Sequence, residues 1–174
     1  MDGAGYVYKH KKRLRCGYTT GACAAMAAKA AAMALLGQGQ PARVSIVTPR
    51  GVTIEAEILD ITINEIFARC AVKKDAGDDP DVTDGMLVYA TVEKTQTPGV
   101  IIDGGAGVGR VTKPGLDQPV GAAAINRVPR DMIRREAEAV CQAAGYTGGL
   151  RVIISVPGGE QVAKKTFNPR LGVE

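Results

Sequence analysis

A chain of 174 residues, 45% hydrophobic and 23% charged, can bury one good core, and it has no apolar run of membrane-spanning length. Its net charge of +4 and aromatic content of 4% fall short of the basic, aromatic-interleaved surface of a nucleic-acid reader, so neither nucleic acid nor a membrane is an expected partner. His10 is its single histidine, and Cys16, Cys23, Cys70 and Cys141 form no C-x-x-C pair, which argues against a zinc site, a redox dithiol and histidine-based catalysis; no metal site is expected.

Residues 1–16 read as a basic arm carrying Lys9, His10, Lys11, Lys12, Arg13 and Arg15. No apolar signal region with a cleavage site follows it, so the cytoplasm is the expected compartment. Thr19 or Thr20 can cap a helix from about Gly21 to Leu36 that Gly37 ends. Alanine dominates that helix, so its propensity is high and another backbone can approach it closely. Val44, Ile46 and Thr48, then Val52, Ile54, Ala56 and Ile58, alternate with polar residues on either side of Pro49-Arg50-Gly51, the pattern of a hairpin. Ile66, Ala68, Cys70 and Val72 predict a third strand, and Met86, Val88, Ala90 and Val92 a fourth. A short apolar run, Val100 to Ile102, precedes a glycine-rich segment. Pro129 suits a first helical position, and Ile133, Ala137, Val140, Cys141 and Ala144 make an apolar helical stripe stopped by Gly145. Leu150 to Val156 predicts a last strand, with a short helix starting near Glu160. Helices and strands do not alternate regularly, so the expected fold is α+β, a mixed or antiparallel sheet with helices packed on it.

Between the third and fourth strands lies Lys74-Asp75-Ala76-Gly77-Asp78-Asp79-Pro80-Asp81-Val82-Thr83-Asp84-Gly85. Five aspartates this close repel one another, so the loop is at the surface or holds cations, backbone N–H groups or a ligand. Gly77, Pro80 and Gly85 point to an ordered turn at a cleft; a plain solvated acidic loop is the simpler alternative. The spacing does not match a calcium-binding loop, and a magnesium site has no specific support.

Gly104 to Gly115 (GGAGVGRVTKPG) fails the dinucleotide fingerprint, since counting from Gly105 puts Arg110 where the third glycine belongs. It fails the P-loop pattern as well. Its bare N–H groups, with Arg110 and Lys113, can cradle a carboxylate or phosphate, and a glycine-rich hairpin is the competing reading. Thr19 and Thr20, at a helix N-terminus just after basic residues, can also receive an anion.

Five segments in register, Cys16 to Ala25 (CGYTTGACAA), Lys74 to Gly85, Gly104 to Gly115, Ala123 to Arg130 (AAINRVPR) and Lys164 to Gly172 (KKTFNPRLG), resemble the CbiD family, the cobalt-precorrin-5B C(1)-methyltransferases of anaerobic cobalamin biosynthesis. Asp84 departs from the histidine or small polar residue expected before the motif's glycine. The resemblance implies S-adenosylmethionine as methyl donor, a carboxylate-rimmed contracted tetrapyrrole as acceptor, and cobalt only as part of that substrate. It makes Asp75, Asp78, Asp79 and Asp81 candidate catalytic residues and puts Asp78, Asp79 and Thr83 on the donor. Thr19, Thr20, Gly105, Gly107, Arg110 and Lys113 are then the candidates for the anionic acceptor. Residues 17–167 would be the family's N-terminal α+β domain and 168–174 the start of a connection to a second domain, so a chain ending there is expected to fold, to self-associate and to lack turnover. Two other functions stay open: a non-catalytic tetrapyrrole-binding or dimerisation module, and a phosphate- or nucleotide-binding enzyme using the glycine-rich loop.

Overall fold

The computed structural model describes residues 6–9, 12–78 and 82–166. The elements in chain order are β1 (Tyr6–Lys9), β2 (Lys12–Arg15), α1 (Thr20–Leu35), β3 (Arg43–Val47), β4 (Thr53–Glu57), β5 (Leu59–Ile63), β6 (Phe67–Lys73), β7 (Leu87–Thr95), β8 (Gly99–Gly104), α2 (Arg127–Ala144), β9 (Gly149–Ser155) and α3 (Gly159–Thr166). Five strands form one mixed sheet in the order β5-β6-β7-β9-β8, antiparallel except for β8 beside β9. The parallel pair needs a crossover, and α2 supplies it. The chain thus has the α+β architecture expected of it.

Helix α1 lies at the centre. It packs on β6 and β7, on α2, and on the β3–β4 hairpin. Its alanines make this possible: Ala24, Ala25, Ala27, Ala28, Ala31 and Ala32 are all buried, with Met26 the one large side chain fully enclosed. Small side chains let sheet and helices close in from several sides, whereas a helix with one apolar stripe would bury only that stripe. Alternation along the strands sends Ala68, Cys70 and Val72, then Val88, Ala90 and Val92, then Val152 and Ile154, into the same core. The Cys70 thiol donates to the carbonyl of Ala27 at 3.1 Å, and burial pushes it up to about 12. Lys29 crosses the layer, with Nζ 3.4 Å from the buried Glu136 of α2 and 2.7 Å from the Ser45 carbonyl of β3.

The other face of the sheet carries polar and aromatic groups. Arg69 stacks over Tyr89, whose hydroxyl donates to Asp60 at 2.5 Å. Asp103 sits between Arg110 at 2.6 Å and Arg151 at 3.7 Å.

Three sequence expectations need correction. Residues 6–9 and 12–15 of the basic arm pair as an antiparallel hairpin. Ile58 keeps the alternation and donates its N–H to the Ala42 carbonyl at 2.9 Å, but it lies past the end of β4, and a separate strand, β5, follows at once with Asp60 at φ 51°. Helix α2 begins at Arg127, so Pro129 is its third residue; within the first turn its missing N–H has no intrahelical acceptor to lose. His10 and the connection at 168–174 lie outside the described residues. Among the described residues no helix is long and apolar enough to cross a membrane.

Candidate functional site

The approach to α1 and the first half of the aspartate loop form one unit. Cys16 bridges to Gly77, the Tyr18 N–H donates to the Asp75 carbonyl at 2.7 Å, and the Asp78 N–H donates to the Arg15 carbonyl at 3.1 Å. Two glycines allow the backbones to touch. A Cβ on Gly17 would lie 2.1 Å from the Ala76 carbonyl carbon, and one on Gly77, at φ 68°, 2.3 Å from the Arg15 carbonyl oxygen. The carboxylates then serve this contact. Arg15 forks onto both oxygens of Asp75 at 2.6 and 2.7 Å and donates its own N–H to Asp78 at 2.7 Å. Asp75 also accepts the Gly77 N–H at 2.8 Å, and Asp84 accepts the Ala76 N–H at 2.9 Å. Beneath the loop Lys74, only 5% exposed, donates to Thr83. Asp79 and Asp81 lie outside the described residues.

The Arg15 guanidinium, helped by the Gly77 N–H, holds the Asp75 carboxyl below the usual aspartate range. A carboxyl lowered by folding contributes stability above its ordinary value, near pH 4, and loses it as the pH falls through the folded value. Both side chains are more than a third exposed, so solvent screening keeps the contribution small. Asp75→Asn is expected to flatten the acid limb of the melting temperature against pH, which thermal melts from neutrality downward will read.

The glycine-rich segment is strapped to the end of β9. The Gly105 N–H donates to Ile154 and the Val156 N–H to Ala106, both at 2.8 Å. Gly107, at φ 73°, brings its backbone so near that a Cβ would sit 1.8 Å from the Val156 oxygen. Ile102 of β8 faces the core, so Asp103 faces the other way and captures Arg110 as the loop turns back. Arg110 donates to Asp103 at 2.6 Å and to the Gly104 carbonyl at 2.9 Å. Behind the loop Arg130 donates to the carbonyls of Ile102, Ala123 and Ile125 at 3.0, 3.0 and 2.8 Å, and this burial lowers its basicity.

Where the segments meet there is a pocket of about 290 Å³. Thr20 and Gly21 at the start of α1, Gly107 to Gly109, Ala124 to Asn126 and Pro129 at the start of α2, and Ile154 and Val156 line it. Two helix N-termini therefore converge on one small cavity with mostly apolar walls, a suitable receiver for an anionic or hydrogen-bonding group. Their meeting depends on Gly21, whose Cβ would lie 2.7 and 2.9 Å from two ring carbons of Pro129. Propensity alone would have Gly21→Ala stabilise the helix by up to about 1 kcal/mol. The rigid ring turns this into an expected net loss of about 1–2 kcal/mol, measurable by urea unfolding.

Of the residues proposed from sequence, Thr20 and Gly107 line the pocket. Thr19 caps α1, its hydroxyl accepting the Ala22 N–H at 3.1 Å. Gly105 lies in the strap, where a Cβ would meet the Ser155 hydroxyl at 2.5 Å. Arg110, Lys113 and the described aspartates are not among the lining residues. Asn126, Pro129, Ile154 and Val156 were not proposed. The signal for the first two was the AAINRVPR segment, in which an Asn-Arg-Val-Pro run opens a helix. Among the described residues no three His, Cys, Asp or Glu side chains are grouped to hold a metal ion.

The family model for CbiD matches residues 7–174. A cobalt-precorrin-5B C(1)-methyltransferase from Ruminiclostridium cellulolyticum is 52% identical over 168 residues, covering 97% of this chain and 44% of that protein. Its counterpart from Geobacillus kaustophilus is 53% identical over 163 residues, covering 94% and 44%. The crystal structure of the cobalamin biosynthesis protein cbiD from Archaeoglobus fulgidus aligns at a TM-score of 0.69 with 34% identity, covering 97% of this chain and 53% of that one. This chain thus spans about half the length of these relatives. With nearly its whole length matched in both sequence and fold, the chain belongs to the CbiD family.

Proposed function

We propose that this chain carries the acceptor side of an S-adenosylmethionine-dependent methyltransferase acting at C1 of cobalt-precorrin-5B, and that the pocket between α1, α2 and the glycine-rich loop receives one carboxylate arm of the tetrapyrrole. The supporting observation is the convergence of three separate sequence motifs on that one cavity. The cobalt belongs to the substrate. Methyl transfer is an in-line displacement in which the carbon–carbon bond to C1 forms as the carbon–sulfur bond breaks and its electron pair returns to sulfur. The protein's share is alignment of the two partners, worth up to roughly 7–11 kcal/mol in favourable cases. Binding the two substrates as tightly in the ground state as in the transition state would not by itself accelerate the step.

The donor is assigned to the aspartate-loop side, through Asp78, Asp79 and Thr83. Asp75 is given a structural part, because its two oxygens are taken up by Arg15. The commitments of Asp75, Asp78 and Asp84 to backbone and guanidinium also favour a second reading, in which the donor is held mainly by the part of the relatives this chain does not span.

Calorimetry separates the two readings. The 174-residue chain and a full-length relative are titrated with S-adenosylhomocysteine and with cobyrinic acid, a cobalt corrinoid whose side chains are free carboxylates. Corrinoid binding by the short chain is expected. Binding of S-adenosylhomocysteine by the short chain supports a donor site here, and its binding by the full-length protein alone supports the second reading. Failure of the short chain to bind the corrinoid overturns the acceptor assignment.

A further inference from the structure

Resting on the acceptor reading above, we propose that Asn126 and Arg127, with an apolar crest of Leu116, Val120 and Val128, form the surface on which the acceptor's macrocycle lies and by which its carboxylates are recognised. The cavity sets the problem. At about 290 Å³ it is at the lower limit for a small-molecule site and takes one peripheral arm, so the ring itself must rest on an adjoining rim.

Two rims are available. The α1 side continues through Tyr18 into the aspartate loop, where Asp78 and Asp84 are exposed and repel an anionic ligand. The α2 side is mixed in charge, with Arg127 and Arg134 beside the exposed Asp117 and Asp131. Arg127 is 80% exposed, and its guanidinium pairs with Asp131 at 3.6 Å. It opens a helix whose N-terminus disfavours cations, and its i,i+4 contact with Asp131 is exposed and supports the helix only weakly. Asn126 occupies the N-cap position yet makes no side-chain cap bond; Asp117, reaching over from the preceding loop, accepts the Arg127 N–H instead. Asn126 is exposed and lines the pocket. Leu116 and Val128, the chain neighbours of the bonded Asp117 and Arg127, are exposed, as is Val120, with Val120 and Val128 exposed by more than half. An apolar crest with an amide and a guanidinium at its edge matches a flat macrocycle edged with carboxylates, in chemistry and in sign of charge.

The test uses the 174-residue chain, with cobyrinic acid and its fully esterified form as probes. The unaltered chain is expected to prefer the acid. Asn126→Ala and Arg127→Ala are each expected to weaken binding of the acid roughly tenfold, the scale of one hydrogen bond to a charged group, with the ester unaffected. Arg127→Lys is expected to recover part of the loss. Melting temperatures of these variants should match the unaltered chain, whereas Asp117→Ala should lower it. Unchanged acid affinity in both alanine variants overturns this proposal and leaves the acceptor pocket standing. A lowered melting temperature for Asn126→Ala makes that residue an ordinary cap and overturns its part. No binding of either probe by the unaltered chain overturns the acceptor reading and this proposal together.

Discussion

Gly107→Ala is expected to cost about 3 kcal/mol or more of folding stability, more than any other single methyl addition on the pocket wall. Two effects add. The residue is at φ 73°, where a side chain costs about 1–2 kcal/mol, and the new Cβ falls 1.8 Å from the Val156 oxygen, so backbone must move. Gly121→Ala isolates the first effect. Gly121 has φ 86°, and a Cβ there would meet nothing within 4 Å, so it is expected to lose only about 1–2 kcal/mol. Urea unfolding of the pair gives the cost of the close approach by difference. Because the same strap forms the pocket floor, Gly107→Ala should also abolish corrinoid binding, while Gly121→Ala should retain it.

Arg130→Met is expected to destabilise the protein by about 3 kcal/mol, because it removes a planar fork that serves three carbonyls together, of which Ala123 still accepts the Ile125 N–H. The carbonyls of Ile102, Ala123 and Ile125 belong to β8, to the bridge with Arg110, and to the run into α2, so one guanidinium ties three segments of the site. Arg130→Lys keeps the charge and loses the fork, and should recover less than half of the loss. Equal stability of Arg130→Lys and the unaltered chain would show that charge, and not geometry, is what matters there. Denaturant midpoints read both variants.

The sequence made legible those features whose cause is local. The Thr19 cap and alanine body of α1, the β3–β4 hairpin around Pro49 to Gly51, and the alternating runs of β6, β7 and β9 all follow from periodicity and turn chemistry. The β1–β2 hairpin was hidden because its residues read as charge; what anchors its end is the Arg15 fork onto Asp75, sixty residues away in the chain. The same long-range pairing explains the aspartate cluster. Its composition suggested a ligand site, yet the described carboxylates are used to bind backbone N–H groups and Arg15. Arg110 lies off the pocket wall for a related reason. Nothing in the glycine-rich motif announces that strand alternation turns Asp103 outward to meet it. In both cases residue type indicated the chemistry available, and register decided where it was spent.

Resonance-by-resonance mapping of the backbone amides of the 174-residue chain, titrated with diamagnetic cobalt(III) cobyrinic acid, tests the acceptor pocket most directly. Shifts are expected at Thr20, Gly21, Gly107, Gly109 and Asn126, with Val44 and Ile46 of the hairpin, which do not line the pocket, unmoved. Shifts confined to the aspartate loop or to Arg69, Tyr89 and Arg151 on the open sheet face, with the pocket amides unmoved, would contradict it.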